Sequence, residues 1–185
     1  MSQFHPLRLS NPMLYTRKGD NGNTGLFGTK ECVSKDHSLL EALGTLDELN
    51  SLTGLCKAYV RKHNKETADE LEQVQEVLFV AQAHLAGSLK RITGTQVETL
   101  EAVIDAIETT IEKPTAFVVP GATAHSALFD FTRAVTRRAE RAVVRAHIED
   151  SIKLKAYLNR LSSFFYALAR RDAQAHGEVE KSPTY

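Results

Sequence analysis

Apolar residues recur every three or four positions along most of the chain, from Ser38 to about Ala175. This spacing places them on one face of an α-helix. The pattern predicts five helices, spanning about 38–59, 67–89, 95–111, 124–148 and 153–175. The connectors are short, and no segment shows a convincing strand pattern. The sequence therefore predicts an all-α bundle of five helices in a single domain, residues 1–185.

Four segments fall outside this helical pattern. Residues 1–14 are expected to form a flexible arm. Residues 15–36 contain four of the ten glycines, too many for a helix interior, and are expected to form a loop. The stretch AFVVPGAT at 116–123 separates the third and fourth helices. The helical part covers 37–175, and the polar tail at 176–185 is expected to be mobile unless a ligand or a neighbouring subunit orders it.

Composition narrows the class of protein. The 185 residues carry a formal net charge of zero, with 42% apolar and 25% charged residues, as in ordinary globular domains. A balanced charge argues against a general nucleic-acid-binding protein. Two cysteines, Cys32 and Cys56, are too few for a disulfide framework, which indicates a reducing compartment. Because the sequence shows no secretory leader and no membrane-spanning run, a cytoplasmic location without membrane contact is expected.

The most informative stretch is 133–145, where five arginines and one glutamate occur in thirteen residues. On a helix, Arg133, Arg137 and Glu140 share one face, and Arg141 lies at its edge. The opposite face is predicted to pack in the core; it comprises Leu128, Phe131, Val135, Ala139, Ala142 and Ala146. The cationic face suits a small polyanion such as a nucleoside triphosphate. The alternative is a solvent-facing charged surface.

The glycine-rich loop offers a second place for an anion. In residues 16–25, small side chains let backbone N–H groups approach a phosphate closely. Thr16 and Thr24 add hydroxyl groups. Positive charge comes from Arg17, Lys18 and Lys35. The loop has neither the Walker A pattern nor the strand–helix context of a dinucleotide-binding fingerprint. The alternative is a glycine-rich surface turn.

Other residues are candidates for single contacts. Asp47, on the first helix, can pair with an arginine of the fourth helix and fix the orientation of its guanidinium. Asn159, on the fifth helix, can donate and accept hydrogen bonds, which suits a ribose or a base. Both are equally compatible with ordinary solvent-facing positions. Phe117 lies on a connector rather than in a helical stripe, and core filling is the ordinary explanation for such an aromatic.

The sequence shows no metal-ligand pattern and no nucleophile motif. The seven histidines are scattered, so no protein-held zinc or iron site is expected. His84, on the second helix, is expected to be structural. The nucleophile motif of the α/β-hydrolases does not occur. If the protein is an enzyme, a substrate or cofactor therefore has to supply the nucleophile.

Four blocks of the sequence together resemble the PduO-type ATP:cob(I)alamin adenosyltransferases, also called corrinoid adenosyltransferases. In chain order the blocks are YTRKGDNGNTGLFG followed by VSKD, EALGTLDELNSLTGL, FVVPGATAHSALFDFTRAVTRRAERAVV and YLNRLSSFFYALAR. The resemblance runs from about Tyr15 to Arg171. It implies a five-helix bundle with up-and-down, ferritin-like packing that assembles as a homotrimer. It also implies active sites between subunits, with ATP under the glycine-rich loop of one subunit and against the arginine helix of its neighbour.

The resemblance assigns roles to the residues that match the family's motifs. ATP binding is implied for Tyr15, Thr16, Gly19, Asp20, Gly22, Thr24, Lys35, Arg133, Arg137, Glu140, Arg141 and Asn159. Glu140 belongs to the implied magnesium site, and Asp47 is implied to pair with Arg133. Phe117 matches the aromatic residue at the lower face of the corrin ring. The implied catalytic residues are Arg133, Arg137, Asp47 and Phe117.

Three positions depart from the family pattern. Lys18 stands in place of a common threonine, Ala122 in place of a second glycine and Ser163 in place of a frequent aspartate. None of them is assigned to the chemistry, but Ala122 and Ser163 bear on corrinoid affinity and preference. The tail also lacks the acidic-aromatic ending usual in the family.

The implied reaction transfers the 5′-deoxyadenosyl group of ATP to the cobalt of cob(I)alamin, giving adenosylcobalamin and triphosphate. The reduced cobalt is the nucleophile, which fits a sequence that offers none. Expected partners are ATP with Mg²⁺, cob(I)alamin or its cobalt(II) precursor, a reductase and an adenosylcobalamin-dependent enzyme. The alternatives are a non-catalytic carrier of adenosylcobalamin and a helical scaffold with a solvated arginine face.

Overall fold

Five helices form the body of the protein in the computed structural model, which describes residues 15, 17–26 and 32–184. They are α1 at Ser38–Val60, α2 at Lys65–Leu85, α3 at Gly94–Glu108, α4 at Ala124–Arg145 and α5 at Ile152–Ala175. The prediction of an all-α five-helix bundle is confirmed. Among the described helices, none is long and apolar enough to cross a membrane. The predictions for the arm at 1–14 and for Thr16 concern residues outside the described ranges.

The glycine-rich loop contains a short hairpin that the sequence pattern does not predict. Strand β1, Asn23–Gly25, pairs antiparallel with β2, Cys32–Ser34, and Thr24 lies opposite Val33. Strands of three residues are too short to show a recognisable alternation of apolar and polar positions. The hairpin places Lys35 directly after β2.

Three helices, α2, α3 and α4, end three or four residues earlier than their apolar spacing predicts, and the backbone accounts for two of these ends. After α2 ends at Leu85, Gly87 adopts a φ of 86°, the left-handed conformation that commonly follows a helix. After α4 ends at Arg145, His147 adopts a φ of 50°. The conformation of the backbone after the last turn, rather than the apolar pattern, therefore sets these boundaries.

Helix α5 is central to the bundle, because it packs against both α3 and α4, while α1 packs against α2 and α4. The large apolar side chains of α5 that are fully buried are Leu154, Leu158, Leu161, Phe164, Phe165 and Leu168. Full burial of such a side chain contributes roughly 1.5–3 kcal/mol. The position of α4, which carries the arginines, is thus fixed by an extensive apolar contact with α5.

The prediction that Phe131 lies on the core face of α4 is wrong. Phe131 is 58% exposed. Counted at 100° per residue, the buried face is centred roughly 60° away, toward Thr132 and Thr136. Both threonines are fully buried, and their hydroxyls donate at 2.8 Å to the carbonyls of Leu128 and Thr132. Hydroxyls that are satisfied within the helix can enter the core, and the helix is rotated so that Phe131 faces outward.

His84 occupies the structural position predicted for it. The residue is buried on α2, and its Nε2 lies 3.2 Å from the carbonyl oxygen of Glu149. Burial is the main cause that lowers the pKa of His84. The side chain therefore connects α2 to the segment between α4 and α5.

Candidate active site

The arginine face of α4 borders a groove that α5 and the connector at 112–118 complete. Two adjoining cavities of about 420 and 510 Å³ make up this groove. Arg137 lines the first cavity and Phe117 lines the second. Arg133 and Tyr166 line both. These two side chains therefore lie where the cavities meet.

Arg133 is held at this junction by a residue of its own helix. Its Nε donates to Oδ1 of Asp130 at 3.3 Å. The Asp130 side chain is only 3% exposed, whereas that of Arg133 is 31% exposed. The resemblance to the family implies that Asp47 has this orienting role, but within the chain Asp47 is exposed on α1 and Arg133 pairs with Asp130. Within one chain the guanidinium of Arg133 is thus oriented by Asp130, and a pairing with Asp47 stays a prediction.

The second oxygen of Asp130 binds a buried arginine of α5. Arg170 donates from Nη2 to Oδ2 of Asp130, and its guanidinium carbon lies 4.6 Å from the centre of the Tyr166 ring. Only 1% of the Arg170 side chain is exposed. Burial alone lowers the pKa of Arg170, but the contacts with Tyr166 and Asp130 outweigh it and raise the pKa above its ordinary value. Asp130 therefore links a buried cation to Arg133 in the groove.

The C-terminal tail contributes the fourth charge of this cluster. Glu180 Oε1 lies 2.8 Å from Arg170 Nε, but the N–H is not aligned with the oxygen, so the contact is an ion pair rather than a hydrogen bond. Burial raises the pKa of Glu180. The N–H of Val119 donates to the Lys181 carbonyl at 2.8 Å. The tail, expected to be mobile, is thus attached to the groove wall. We call Asp130, Arg133, Arg170 and Glu180 the Asp130 cluster.

Phe117 lies at the mouth of the groove and not in the core. The residue is 79% exposed and lines the same cavity as Arg133. Core filling is therefore the wrong explanation for this aromatic. A large apolar side chain that is exposed beside a cavity is typical of a ligand-binding surface.

Glu140 and Asn159, both predicted to contact ATP, are brought together from α4 and α5. Asn159 donates from Nδ2 to Oε1 of Glu140 at 3.4 Å, and its Oδ1 accepts from Arg160 at 2.7 Å. Arg160 also donates from Nε to Glu101 on α3 at 2.7 Å. These contacts fix the amide of Asn159 next to the arginine helix.

Arg137 and Arg141 are exposed cations on α4. Among the described residues, neither has an ion-pair partner. Their neighbour Arg138, in contrast, pairs with Glu48 on α1. A polyphosphate pairs well with guanidinium groups that no carboxylate occupies.

The predicted phosphate-binding loop is closed by Lys35. Its Nζ donates to the carbonyl of Gly19 at 2.8 Å, and its backbone N–H donates to the carbonyl of Gly22 at 2.9 Å. Gly22 has a φ of 82°, which favours glycine. A Cβ at Gly19 would lie 3.0 Å from the Lys35 Nζ. Asp20 lies between Gly19 and Gly22, and Thr24 lies on β1. Contacts within the loop therefore bring Gly19, Gly22 and Lys35 together.

Comparison with known proteins decides the family. The family model for cobalamin adenosyltransferase matches residues 14–171. The chain belongs to the cobalamin adenosyltransferase family. The resemblance seen in the sequence blocks is thereby confirmed.

Individual members of the cobalamin adenosyltransferase family agree with this assignment. Corrinoid adenosyltransferase PduO of Salmonella typhimurium is 39% identical over 173 residues, which cover 88% of this chain and 51% of the relative. A corrinoid adenosyltransferase of Citrobacter freundii is 38% identical, with 85% and 93% covered. The chain thus spans about half the length of the PduO relatives of these two organisms, but nearly all of the shorter Citrobacter protein.

A solved structure in the same family has the same fold. A variant PduO-type ATP:corrinoid adenosyltransferase from Lactobacillus reuteri, complexed with cobalamin and ATP, matches with a TM-score of 0.85 and 29% identity. The match covers 92% of this chain and 96% of that protein. The likeness therefore extends over nearly the whole chain.

Four residues that shape the groove were not predicted from the sequence: Asp130, Tyr166, Arg170 and Glu180. Asp130 alone carried a usable signal, because it precedes Arg133 by three positions on one helix, a spacing at which opposite charges pair. The others meet only through the packing of α5 and the tail.

Proposed function

We propose that the protein transfers the 5′-deoxyadenosyl group of ATP to the cobalt of cob(I)alamin, producing adenosylcobalamin and triphosphate. The observation that carries this proposal is the cavity that the exposed Phe117 and the oriented Arg133 line together. An aromatic surface suits a corrin ring, and a guanidinium suits a polyphosphate. Family membership supports the proposal, as does the complex of the Lactobacillus reuteri relative with cobalamin and ATP.

In the proposed reaction, the reduced cobalt attacks the 5′ carbon of ATP. A cobalt–carbon bond forms, the bond between that carbon and the triphosphate oxygen breaks, and triphosphate leaves with the electron pair. No side chain has to act as a nucleophile. The protein positions the two substrates and stabilises the charge that develops on the leaving group.

The described side chains divide this work. Arg137 and Lys35 stabilise the triphosphate, and Arg133 positions it from the junction of the two cavities. Asn159 contacts the nucleoside. Phe117 displaces the lower axial ligand of the cobalt(II) precursor, which leaves the cobalt with fewer ligands and makes it easier to reduce.

Glu140 is the residue proposed to hold Mg²⁺ together with ATP. Its carboxylate is a hard oxygen donor of the kind that Mg²⁺ prefers, and it lies beside Asn159 in the proposed nucleotide site. Bound there, Mg²⁺ would neutralise part of the triphosphate charge.

The proposal includes a homotrimer with sites between subunits. Lys35 and Asp47 are both exposed, so both are available to a neighbouring subunit. The outward-facing Phe131 and Val144 offer apolar surface on α4. Sedimentation should give three times the chain mass of 20.5 kDa. A chain that stays monomeric at assay concentration would contradict this part of the proposal.

Replacement of Phe117 by alanine is expected to slow adenosylation with little loss of stability. In the proposed complex the ring is buried against the corrin, and loss of this burial removes roughly 1.5–3 kcal/mol of binding free energy. If that loss raises the barrier in full, the rate falls by about 10- to 150-fold. The absorbance of adenosylcobalamin measures the rate, and circular dichroism measures Tm. Phe79→Ala, at an exposed aromatic of α2, is the matched control and should keep the parent rate. Equal rates for the two variants would remove Phe117 from the scheme.

One assay separates the proposed enzyme from a carrier and a scaffold. The protein is incubated with ATP, Mg²⁺ and cob(I)alamin, and the spectrum is followed. The enzyme forms many equivalents of adenosylcobalamin per chain, whereas a carrier binds added adenosylcobalamin and forms none. A scaffold binds no ATP in calorimetry. Repetition with cobinamide tests corrinoid preference, on which Ala122 and Ser163 bear.

Two wider expectations belong to the same proposal. Cob(I)alamin forms from its cobalt(II) precursor by uptake of one electron, so a reductase has to supply that electron. An adenosylcobalamin-dependent enzyme has to receive the product. A cytoplasmic location is proposed as well. Cys32 and Cys56 are both free thiols, which suits a reducing compartment.

A further inference from the structure

Three of the seven histidines, scattered in the sequence, meet at one end of the bundle. His63 follows α1, His125 lies in the first turn of α4, and His176 follows α5. The ring centres of His63 and His125 are 6.0 Å apart, and those of His125 and His176 are 6.3 Å apart. Asp172, in the last turn of α5, lies among them. The expectation that the histidines form no metal-ligand group therefore does not match their arrangement.

The donor atoms of this cluster converge. One ligand atom from each of His125, Asp172 and His176 lies within 4.8 Å of the other two. His125 Nδ1 is 3.5 Å from one carboxylate oxygen of Asp172, and His176 Nδ1 is 3.6 Å from the other. Both separations are longer than an ordinary hydrogen bond. The carboxylate of Asp172 thus faces two imidazole rings without an ordinary hydrogen bond to either.

Side chains and backbone around the cluster orient its donors. Thr123, the N-cap of α4, donates its hydroxyl to Oδ2 of Asp172. His176 Nδ1 lies 2.8 Å from the backbone carbonyl of Asp172, which can only accept, so this nitrogen carries the proton. In the neutral ring, Nε2 then has a free lone pair, so Nε2 is the nitrogen of His176 that can bind a metal, and the 3.6 Å separation of Nδ1 describes only the approach of the ring to Asp172. A ligating histidine typically donates its other ring N–H to a carbonyl in this way.

The cluster opens into a cavity with room for an ion and water. This cavity has a volume of about 410 Å³, and His63 lines it together with the other three residues. None of its lining residues lines the two cavities of the groove. Arg171 also lines it, but its guanidinium donates to Thr67 at 2.7 Å and favours the charged form of Glu70. The cation on this wall is thus directed to other partners.

We propose that His125, Asp172 and His176 bind one Zn²⁺ ion, with His63 as the fourth donor. Neutral imidazole and carboxylate are ligands that Zn²⁺ commonly takes in tetrahedral sites. In such a site the donor atoms are about 3.3 Å apart, so the present separations have to contract by up to roughly 1.5 Å. His176 is 55% exposed and can move by side-chain rotation. The ion would join the start of α4 to the end of α5.

The test is a titration of the untagged, chelator-treated protein with ZnCl₂, in the absence of ATP and corrinoid. A parallel titration with MgCl₂ measures non-specific binding. The expected result is one Zn²⁺ per chain that survives dialysis and raises Tm, with no such effect of Mg²⁺. Less than one retained Zn²⁺ per chain, or an equal response to Mg²⁺, would overturn the proposal.

Matched variants locate the ion. In His125→Ala/His176→Ala the affinity for Zn²⁺ should fall by about tenfold or more, and the rise in Tm should be lost. Cys32→Ser removes an exposed thiol, and His147→Ala removes an exposed histidine from the α4–α5 connector. Both should bind Zn²⁺ like the parent. If the double variant does not fold, the half-exposed His176→Ala decides alone. Parent-like affinity in that variant would refute the site.

Discussion

Replacement of Arg137 by alanine is expected to lower the turnover of adenosylcobalamin formation by more than about tenfold while the fold and assembly persist. Removal of one charged group that stabilises a leaving group costs on the order of 2–4 kcal/mol of barrier. Arg137 is exposed and pairs with no other described residue, so its loss should leave Tm nearly unchanged. Steady-state rates at saturating ATP and cob(I)alamin measure the effect, and sedimentation checks the assembly.

The matched control for Arg137 is Arg145→Ala. Arg145 is also an exposed arginine of α4, but it lies in the last turn and lines neither cavity of the groove. Its loss should leave turnover near the parent value. A rate for Arg137→Ala equal to that of the control would refute the role given to Arg137.

Replacement of Asp130 by alanine is expected to destabilise the protein by about 3–5 kcal/mol, because it leaves Arg170 buried without its carboxylate partner. Urea unfolding followed by circular dichroism measures this change. Turnover of the folded fraction should also fall, since Arg133 loses the group that orients it.

Glu48→Ala is the control for Asp130. It also removes a carboxylate that pairs with an arginine of α4, but both partners are about half exposed. Exposed ion pairs contribute less than about 1 kcal/mol. Comparable losses of stability in the two variants would show that the buried ion pairs of Asp130 contribute no more to the free energy of unfolding than an exposed pair does.

The helices could be predicted from the sequence because their apolar spacing is long and regular. The ends of α2 and α4 could not, because they depend on the left-handed backbone at Gly87 and His147. The orientation of Phe131 was mispredicted because buried threonines with satisfied hydroxyls look polar in a sequence pattern. Apolar periodicity thus finds a helix better than it finds the centre of its buried face.

The candidate site could be predicted from the sequence only in part, for a similar reason. The arginine face, Phe117 and Asn159 lie in sequence blocks that resemble the family, so they could be proposed residue by residue. Arg170 and Glu180 look like ordinary surface charges until α5 and the tail fold against α4. The histidine cluster joins α1, α4 and α5, and no local spacing encodes such a contact.

The four formal charges of the Asp130 cluster cancel, and one of the two negative ones is carried by the tail. Detachment of the tail would leave a net positive charge beside the groove and favour an incoming anion. By thermodynamic reciprocity, an anion bound in the groove would loosen the tail to the same extent. The carboxyl-terminal residues and the nucleotide therefore compete, in effect, for the same guanidinium pair.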